Sequence, residues 1–405
     1  MNKPNSYALA LVALAVLYFM MGFITVLNDT LVPFFKKGFD LTYTQSSLVQ
    51  FYFYLSYGLV SIPAGRLVVR LGYKKGMVLG FVIAALGAFL FLPSAHFHEY
   101  RLFLCALFII AIGVVLLQVS ANPYIAVLGP PETAASRLTL IQGVGSIGTT
   151  LAPLFGAYFI LSKIESAVDA SDSLVLPYGI IAMVMLLVAI VIWVLRLPTM
   201  YTNEEKTKSI PLLQLYNNNP KLRYGVIALF FYVGAEVAIG TYLTNYIADK
   251  KMIDEHEANY YVSYYWGGML VGRLIGAYVL RHLDTPKVLS ALAFLAFLAI
   301  GISICTSGTL SVWLMIVVGL FNSVMFASIF SISIQGLGKY TGQASGLLST
   351  AIIGGAIITW GHGVLKDHWS WSVAFVLSMC CYLIIFAYAQ YISHNKTNSD
   401  SLTNA

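Results

Sequence analysis

Apolar residues occur along this chain in twelve long runs, separated by short polar segments. A membrane-spanning helix needs about 20 predominantly apolar residues, and each run is close to that length or longer. The runs do not alternate apolar and polar residues, as the strands of a membrane β-barrel do. The pattern therefore predicts an all-α membrane protein with twelve transmembrane helices, at residues 7–34, 44–69, 75–94, 100–128, 134–160, 174–197, 222–249, 257–280, 286–306, 310–337, 343–364 and 370–393.

Composition supports a lipid environment. Of the 405 residues, 59% are hydrophobic and 10% are charged, and the mean hydropathy is +0.80. Soluble domains carry about 25% charged residues. The sequence contains no Walker-type phosphate loop, metal-ligand cluster or nucleophile–histidine arrangement. These features disfavour an ATP-driven pump or a membrane enzyme and predict no cofactor other than a coupling proton.

The ends of the runs indicate an orientation. Lys and Arg are concentrated in the polar segments that share a side with both termini, and such segments are normally cytoplasmic. The net charge of +6 therefore follows topology and does not indicate a nucleic-acid partner. We expect a multi-pass protein of the bacterial cytoplasmic (inner) membrane, with both termini cytoplasmic, the lipid bilayer as its surroundings, and a monomeric state.

The longest polar segment divides the chain into two parts. Residues 198–221 are charged and rich in turn formers, although PLLQLY within them could form a short helix. We predict an N-terminal six-helix half at 1–197, a cytoplasmic linker at 198–221 and a C-terminal six-helix half with a short tail at 222–405.

The two halves repeat around two isolated acids. An offset of 207 residues superposes Asp29 on Glu236, and Gly65-Arg66-Leu67 on Gly272-Arg273-Leu274. Corresponding helices cross the membrane in the same sense, so the halves are expected to be parallel repeats. Such an arrangement would place the two acids at similar depth on opposite walls of one water-filled cavity.

Four segments resemble a known family. GFITVLNDTLVP, PAGRLVVRLGYKKG, LLQVSANPYIAVLGP and FFYVGAEVAIGTYLTNY are similar to patterns of the major facilitator superfamily, and more narrowly of its fucose–galactose–glucose:proton symporter family. The resemblance implies the major facilitator fold, with two pseudo-symmetric halves, and import of a neutral sugar with protons by alternating access.

Two positions distinguish branches within that family. The fucose permease branch has a glutamate where this chain has Gln118 and a glutamine where it has Glu236. The arrangement found here resembles the glucose/galactose and N-acetylglucosamine transporters instead. Those sugars are therefore the expected substrates.

Asp29 and Glu236 are the candidate proton carriers. A charged side chain in the bilayer costs about 2.5–3.5 kcal/mol even on insertion scales, so such residues usually have a function. The alternative for Asp29 is that it caps a helix break near Pro33. Glu236 has two alternatives, because it could bind sugar hydroxyls as a carboxylate or form a buried structural pair.

Amides and aromatic rings are the candidate sugar ligands. An amide offers both donors and an acceptor, which suits sugar hydroxyls, and an aromatic ring can stack on a sugar. The alternatives are hydrogen bonds between helices for the amides, and packing or interfacial positions for the aromatics. The predicted substrate-binding residues are Asn28, Gln118, Asn122, Gln142, Tyr232, Glu236, Tyr261, Asn322 and Trp360.

Basic residues follow the Gly-Arg-Leu repeats. We interpret these as basic turns at the inner face and, from the family resemblance, as gating residues; the alternative is that they serve topology alone. The predicted gating residues are Arg66, Arg70, Arg273 and Arg281.

Two other transport functions remain open at this point. An uncoupled facilitator would keep every sugar-binding feature. A proton-coupled exporter of lipophilic compounds would have a mostly aromatic and apolar cavity, and the amides argue against that.

Overall fold

The computed structural model describes residues 4–127, 134–163, 171–195, 211–337 and 340–403. All regular elements in these ranges are helices. The N half, as we call the first six spans, contains α1 (Pro4–Gly38), α2 (Tyr43–Ser46), α3 (Leu48–Leu71), α4 (Tyr73–Phe89), α5 (Phe91–Phe97), α6 (Tyr100–Val127), α7 (Ala134–Phe159) and α8 (Val175–Val194).

The C half, which holds the last six spans, follows a short helix. That helix, α9 (Leu212–Asn218), confirms the interpretation of PLLQLY, and α10 begins at Pro220, just before the predicted end of the linker. The remaining helices are α10 (Pro220–Lys251), α11 (Glu255–His282), α12 (Thr285–Cys305), α13 (Gly308–Asn322), α14 (Met325–Ile334), α15 (Thr341–Thr350), α16 (Gly354–His368) and α17 (Trp371–Thr403).

These helices form the twelve predicted spans. Within the described ranges, nine helices are long and apolar enough to cross a membrane. The other three, α3, α7 and α11, have 24, 26 and 28 residues and are also long enough, at 1.5 Å per residue, to cross. Spans 2, 3, 10 and 11 are each built from two consecutive helices.

The halves pack on each other as a two-fold relationship requires. Span 2 (α3) packs on span 11 (α16), and span 5 (α7) packs on span 8 (α11). Span 2 corresponds to span 8 in the repeat, and span 5 corresponds to span 11, so the two-fold relationship exchanges these two contacts. Span 1 (α1) also contacts span 7 (α10), so the two helices that carry the acids meet at the centre.

Glycines allow the closest helix contacts. A Cβ on Gly145 would lie 3.1 Å from the carbonyl oxygen of Tyr18 in α1, and a Cβ on Gly354 would lie 3.0 Å from the Cα of Phe230 in α10. The space at both positions is occupied by backbone, which cannot move aside easily. Small residues thus permit close packing of spans 1 and 5 and of spans 7 and 11.

We call the face that contains Gly38 and Lys251 the outer face, following the orientation predicted from the charges. The outer end of span 2 starts with a capping box, in which the Thr42 side chain accepts from the Gln45 N–H and the Gln45 side chain accepts from the Thr42 N–H. This box fixes the first turn of α2, which matters below because α2 contacts the other half.

Candidate functional site

Asp29 lies at the centre of the molecule, between the two halves. Its Oδ1 accepts a hydrogen bond of 2.8 Å from the Gln50 side chain of α3 and one of 3.1 Å from the Thr241 hydroxyl of α10. Gln50 belongs to the same half as Asp29, whereas Thr241 belongs to the other. Helix α1 continues through Pro33 to Gly38, so the alternative that Asp29 caps a break there is wrong.

Asp29 does not line an open cavity in this conformation. The residue is 3% exposed, so the expectation of a carboxyl group on the wall of a water-filled cavity is not met. Its second oxygen, Oδ2, is also buried and faces the Trp266 indole of α11. A Cβ on Gly240 would lie 3.3 Å from Oδ2 and 2.9 Å from Trp266 Cζ2, which shows how tightly the two halves close here.

The halves are closed above Asp29 by contacts at the outer face. The Asp367 carboxylate at the end of α16 accepts the backbone N–H groups of Tyr43 and Thr44, at 2.8 and 2.6 Å. The Tyr242 hydroxyl of α10 donates to the Tyr43 carbonyl at 3.2 Å. We call these four residues the outer latch. It links α2 of the N half to α10 and α16 of the C half and so separates Asp29 from the outer face.

Cations and a further acid surround the outer latch. The ammonium groups of Lys36 and Lys366 lie 4.4 and 5.2 Å from the centre of the Tyr43 ring, within the range of cation–π attraction. Glu255, the first residue of α11, accepts a hydrogen bond from Asn245 at 2.8 Å. Burial raises the pKa of Glu255, and the positive charge of Lys37 opposes that shift.

Glu236 differs from Asp29 in its surroundings. It lies on α10 and is half-buried, and Arg273 of α11 and Tyr232 of α10 act on its carboxylate. The Tyr265 hydroxyl donates to the Glu236 backbone carbonyl at 3.2 Å. The two acids of the repeat therefore have different surroundings: Asp29 accepts hydrogen bonds from neutral donors of both halves, and Glu236 lies within the influence of the positive charge of Arg273.

Arg273 occupies a helix and not a turn at the inner face. It lies within α11, is half-buried, and its guanidinium donates to the Ser146 hydroxyl of α7 in the other half. The glycine before it serves close packing, because a Cβ on Gly272 would lie 2.8 Å from the Leu320 carbonyl of α13. The interpretation of the Gly-Arg-Leu repeats as turns is therefore wrong. A gating role for Arg273 stays a prediction.

The other predicted gating residues also lie within helices, Arg66 and Arg70 in α3 and Arg281 in α11. Arg70 is exposed in the last turn of α3. The side chains of Arg66 and Arg281 lie outside the described residues. Their roles stay predictions.

Asn322 is the centre of a buried hydrogen-bond network. Its amide donates to the Tyr265 hydroxyl at 2.9 Å and accepts from the Tyr382 hydroxyl at 2.8 Å, while its carbonyl accepts from the Tyr232 hydroxyl at 3.0 Å. Every polar atom of this side chain has a protein partner, so in this conformation Asn322 and Tyr232 join helices of the C half. Sugar binding by either would require exchange of these partners and stays a prediction.

Three other amides are better placed to accept a ligand. Asn28 is 1% exposed with its Nδ2 unpaired, and Gln118 and Gln50 each have a buried, unpaired Oε1. Buried polar atoms are normally hydrogen-bonded, so these groups mark positions where ligand or water would be favourable. Gln142 is half-buried on α7. The Asn122 side chain lies outside the described residues.

Tyr261 and Trp360 lie away from the centre. The Tyr261 hydroxyl accepts from Lys251 at 2.8 Å, and its ring packs against Trp313 of α13. Trp360 is 42% exposed, whereas Gly355 and Thr359 of the same helix contact α3 and α10 respectively. Stacking of either ring on a sugar stays a prediction that this conformation does not support.

The sequence interpretation missed the partners of Asp29 and the outer latch. Thr241 and Trp266 belong to segments of many similar apolar and hydroxyl residues, which gave no signal. Asp367 had one, since it is an acid at the end of a span. Gln50 also had one, since it is an amide within an apolar run, 21 residues from Asp29.

Comparisons with known proteins agree on the family. The family model of the Major Facilitator Superfamily matches residues 14–359. A glucose/galactose transporter of Brucella abortus is 44% identical over 396 residues, covering 96% of this chain and 95% of the relative. An L-fucose-proton symporter of Escherichia coli is 34% identical over 422 residues, covering 98% and 96%.

A solved structure gives the same result in three dimensions. The fucose:proton symporter FucP of E. coli superposes with a TM-score of 0.76 at 32% identity, covering 95% of this chain and 99% of that one. Sequence and fold therefore agree over nearly the whole length, and the chain belongs to the Major Facilitator Superfamily.

Proposed function

We propose that this protein imports a neutral hexose together with protons across the bacterial inner membrane, with both termini in the cytoplasm. Membership of the superfamily makes it a multi-pass membrane transporter and not an enzyme. The relatives named glucose/galactose transporter and L-fucose-proton symporter support a sugar as substrate and a proton as coupling ion. Glucose, galactose or N-acetylglucosamine are the proposed sugars, and a monomer is the proposed functional unit.

One observation carries the proton-coupling part of the proposal. The carboxyl group of Asp29 is buried between the halves and receives hydrogen bonds from both of them. Its charge therefore acts on hydrogen bonds at the interface between the halves, and this interface must rearrange when access alternates. A carboxyl group on the lipid face, or one satisfied within a single half, would lack this property.

The mechanism follows from this position. Asp29 takes up a proton when the outer latch is open, and the sugar then binds between the halves, where Asn28, Gln50 and Gln118 have unpaired amide atoms. The halves close over the sugar, and sugar and proton leave on the other side. One elementary charge that crosses 100 mV supplies about 2.3 kcal/mol, enough for roughly fifty-fold accumulation of a neutral solute.

The test uses the purified protein in proteoliposomes. Asp29→Asn removes the titratable group and keeps the size, so accumulation of labelled galactose against a gradient is expected to be lost while counterflow exchange remains. Asp40→Asn is the matched control, because Asp40 is an exposed aspartate two residues beyond the end of α1. If Asp29→Asn still concentrates the sugar, the coupling role is wrong.

A further inference from the structure

We propose that Asn259 is a gating residue that holds the two halves together at a second place on the outer side, apart from the outer latch. The inference rests on the alternating access of the proposed function and adds a residue that the sequence analysis did not identify. Asn259 lies in the second turn of α11, which packs on α7 of the N half. The outer latch, in contrast, joins α2 to α10 and α16.

The Asn259 side chain has hydrogen-bond partners in both halves. Its Nδ2 donates to the Pro153 carbonyl of α7 at 2.7 Å and to the Thr30 hydroxyl of α1 at 3.2 Å. Its Oδ1 accepts from the Thr244 hydroxyl of α10 at 2.8 Å. A primary amide offers two N–H donors and a carbonyl acceptor, so both donors serve the N half and the acceptor serves the C half. We call the two bonds from Asn259 to Pro153 and Thr30 the Asn259 bridge.

The two acceptors in the N half are held side by side. A Cβ on Gly156 of α7 would lie 2.6 Å from the Thr30 Cγ2, so the absence of a side chain there lets Thr30 rest directly on α7. Gly156 lies less than one turn from Pro153 in the same helix. The Thr30 hydroxyl and the Pro153 carbonyl therefore move together when the halves separate, and both lose Asn259 at once.

Burial makes the bridge sensitive to separation of the halves. Asn259, Thr30 and Thr244 are each 0% exposed, so bulk water does not compete for these bonds in the closed conformation. A buried donor without a partner is costly, and a small separation would leave both N–H groups of Asn259 without protein or water. They regain partners only when the outer side is open enough for water to reach the amide. The bridge therefore favours closure and also disfavours partly open states.

The internal repeat does not reproduce Asn259. The 207-residue offset that superposes the two acids places Tyr52 at the equivalent position. Tyr52 is 37% exposed on α3, and a phenol has a single donor. The two pseudo-symmetric contacts between the halves are thus closed by different groups, a carboxylate that accepts backbone N–H groups at one and a buried amide at the other. This difference explains why the repeat gave no signal for Asn259.

The experiment measures outer opening in proteoliposomes by the distance between two spin labels. The labels replace Asp40 and Met252, which are exposed and follow the outer ends of the equivalent helices α1 and α10. The four native cysteines are replaced by alanine. The measured quantity is the ratio of the long-distance (open) population to the short-distance (closed) population.

Two substitutions break the bridge from opposite sides. Asn259→Leu removes both donors, so the open-to-closed ratio is expected to rise about 5- to 100-fold, which corresponds to two net hydrogen bonds. Thr30→Val removes one acceptor and keeps the shape that rests on Gly156, so a rise of about 2- to 10-fold is expected. Because both substitutions break one bridge, Thr30→Val should add little to Asn259→Leu in the double variant.

Tyr246→Phe is the matched control. Tyr246 is also 0% exposed on α10, and its hydroxyl bonds to Ser303 and Ser311, which both belong to the C half. The control thus loses buried hydrogen bonds without affecting the contact between the halves, and its open-to-closed ratio is expected to match the parent. If Tyr246→Phe opens the protein as much as Asn259→Leu does, the effect is one of general destabilisation and the inference is overturned.

The other outcomes separate this inference from the proposed coupling. An unchanged ratio in folded Asn259→Leu overturns the role of Asn259, even if Asp29→Asn has lost accumulation as proposed. Full additivity of Asn259→Leu and Thr30→Val also overturns it, since the two residues would then act independently. If Asp29→Asn retains accumulation, the proposed coupling fails regardless of the distances. Thermal unfolding shows whether Asn259→Leu is folded; if it is not, Thr30→Val decides, and an unchanged ratio in that variant overturns the inference.

Discussion

Removal of the Asp367 carboxylate should open the outer face. Asp367 accepts two backbone N–H groups from α2, at 2.8 and 2.6 Å, and these are its links to the N half. Asp367→Asn leaves one acceptor and turns the other oxygen into a donor that points at an N–H. The substitution should therefore remove at least one hydrogen bond and add a repulsive contact.

The exposure of Asp367 limits the free energy that its two hydrogen bonds contribute to the closed state. Hydrogen bonds to charged groups contribute about 1.5–3 kcal/mol each when buried, but Asp367 is exposed and water and salt reduce this. A value of about 1–2 kcal/mol for the pair corresponds to a shift of about 5- to 30-fold between closed and open states, because 1.4 kcal/mol is tenfold. Such a shift is large enough to redistribute a two-state equilibrium visibly.

The assay is the distance between spin labels attached at positions 40 and 252, with and without Asp367→Asn. Asp40 and Met252 are exposed at the outer ends of α1 and α10, so the distance between them reports separation of the halves. The control is Asp254→Asn, since Asp254 is an exposed acid before α11 whose side chain makes no capping hydrogen bond. We expect a larger open population for Asp367→Asn only. The reasoning is refuted if the distances do not change, or if Asp254→Asn opens the protein equally, which would indicate a general effect of charge.

Two further predictions concern side chains near the outer latch. His362 is fully buried between the rings of Tyr242 and Phe375, whose centres lie 4.9 and 4.7 Å from the centre of its own ring, and both of its nitrogens are unpaired. Because an unpaired buried polar group costs about 1–3 kcal/mol, His362→Phe should preserve counterflow and keep or raise the melting temperature. Loss of counterflow in a folded variant would contradict this. The raised pKa of Glu255 means that burial disfavours its ionised form, so its contribution to stability falls as pH rises through that pKa. Glu255→Gln should therefore melt higher than the parent at alkaline pH and equally at acidic pH. A lower melting temperature of the variant at alkaline pH would show that attraction by the positive charges of Lys37 and Lys36 dominates.

Much of the fold follows directly from the sequence. Long apolar runs can satisfy their backbone only as helices in a bilayer, so the number of spans and their approximate limits were predictable. The breaks within spans were not, because they depend on packing. Span 11, for example, changes to a 3-10 turn at Ala351–Ile353, immediately before Gly354 packs against Phe230.

The site was predictable in its acids but not in their partners. A charge in an apolar run is visible in sequence, which is why Asp29 and Glu236 stood out. Thr241 lies 212 residues from Asp29, and nothing local distinguishes it from other buried hydroxyls of α10. Gly272 was misread because glycine suits both a turn and a close helix contact, and only the neighbouring helix α13 decides between them.

The conformation was not predictable at all. Two states of a carrier differ by a few kcal/mol, and one sequence must encode both. The expectation that Asp29 faces water describes an open state, whereas the outer latch holds the state seen here closed. On the proposed alternating-access mechanism, the burial of Asp29 belongs to the conformation with a closed outer face.

The most direct test of the account is the pH of a lightly buffered suspension of cells or proteoliposomes when sugar is added. If Asp29 carries a proton inward with each sugar, galactose or glucose should make the external medium more alkaline, and Asp29→Asn should abolish that change while counterflow continues. Uptake by the parent protein without any alkalinisation, or alkalinisation that survives in Asp29→Asn, would contradict the account.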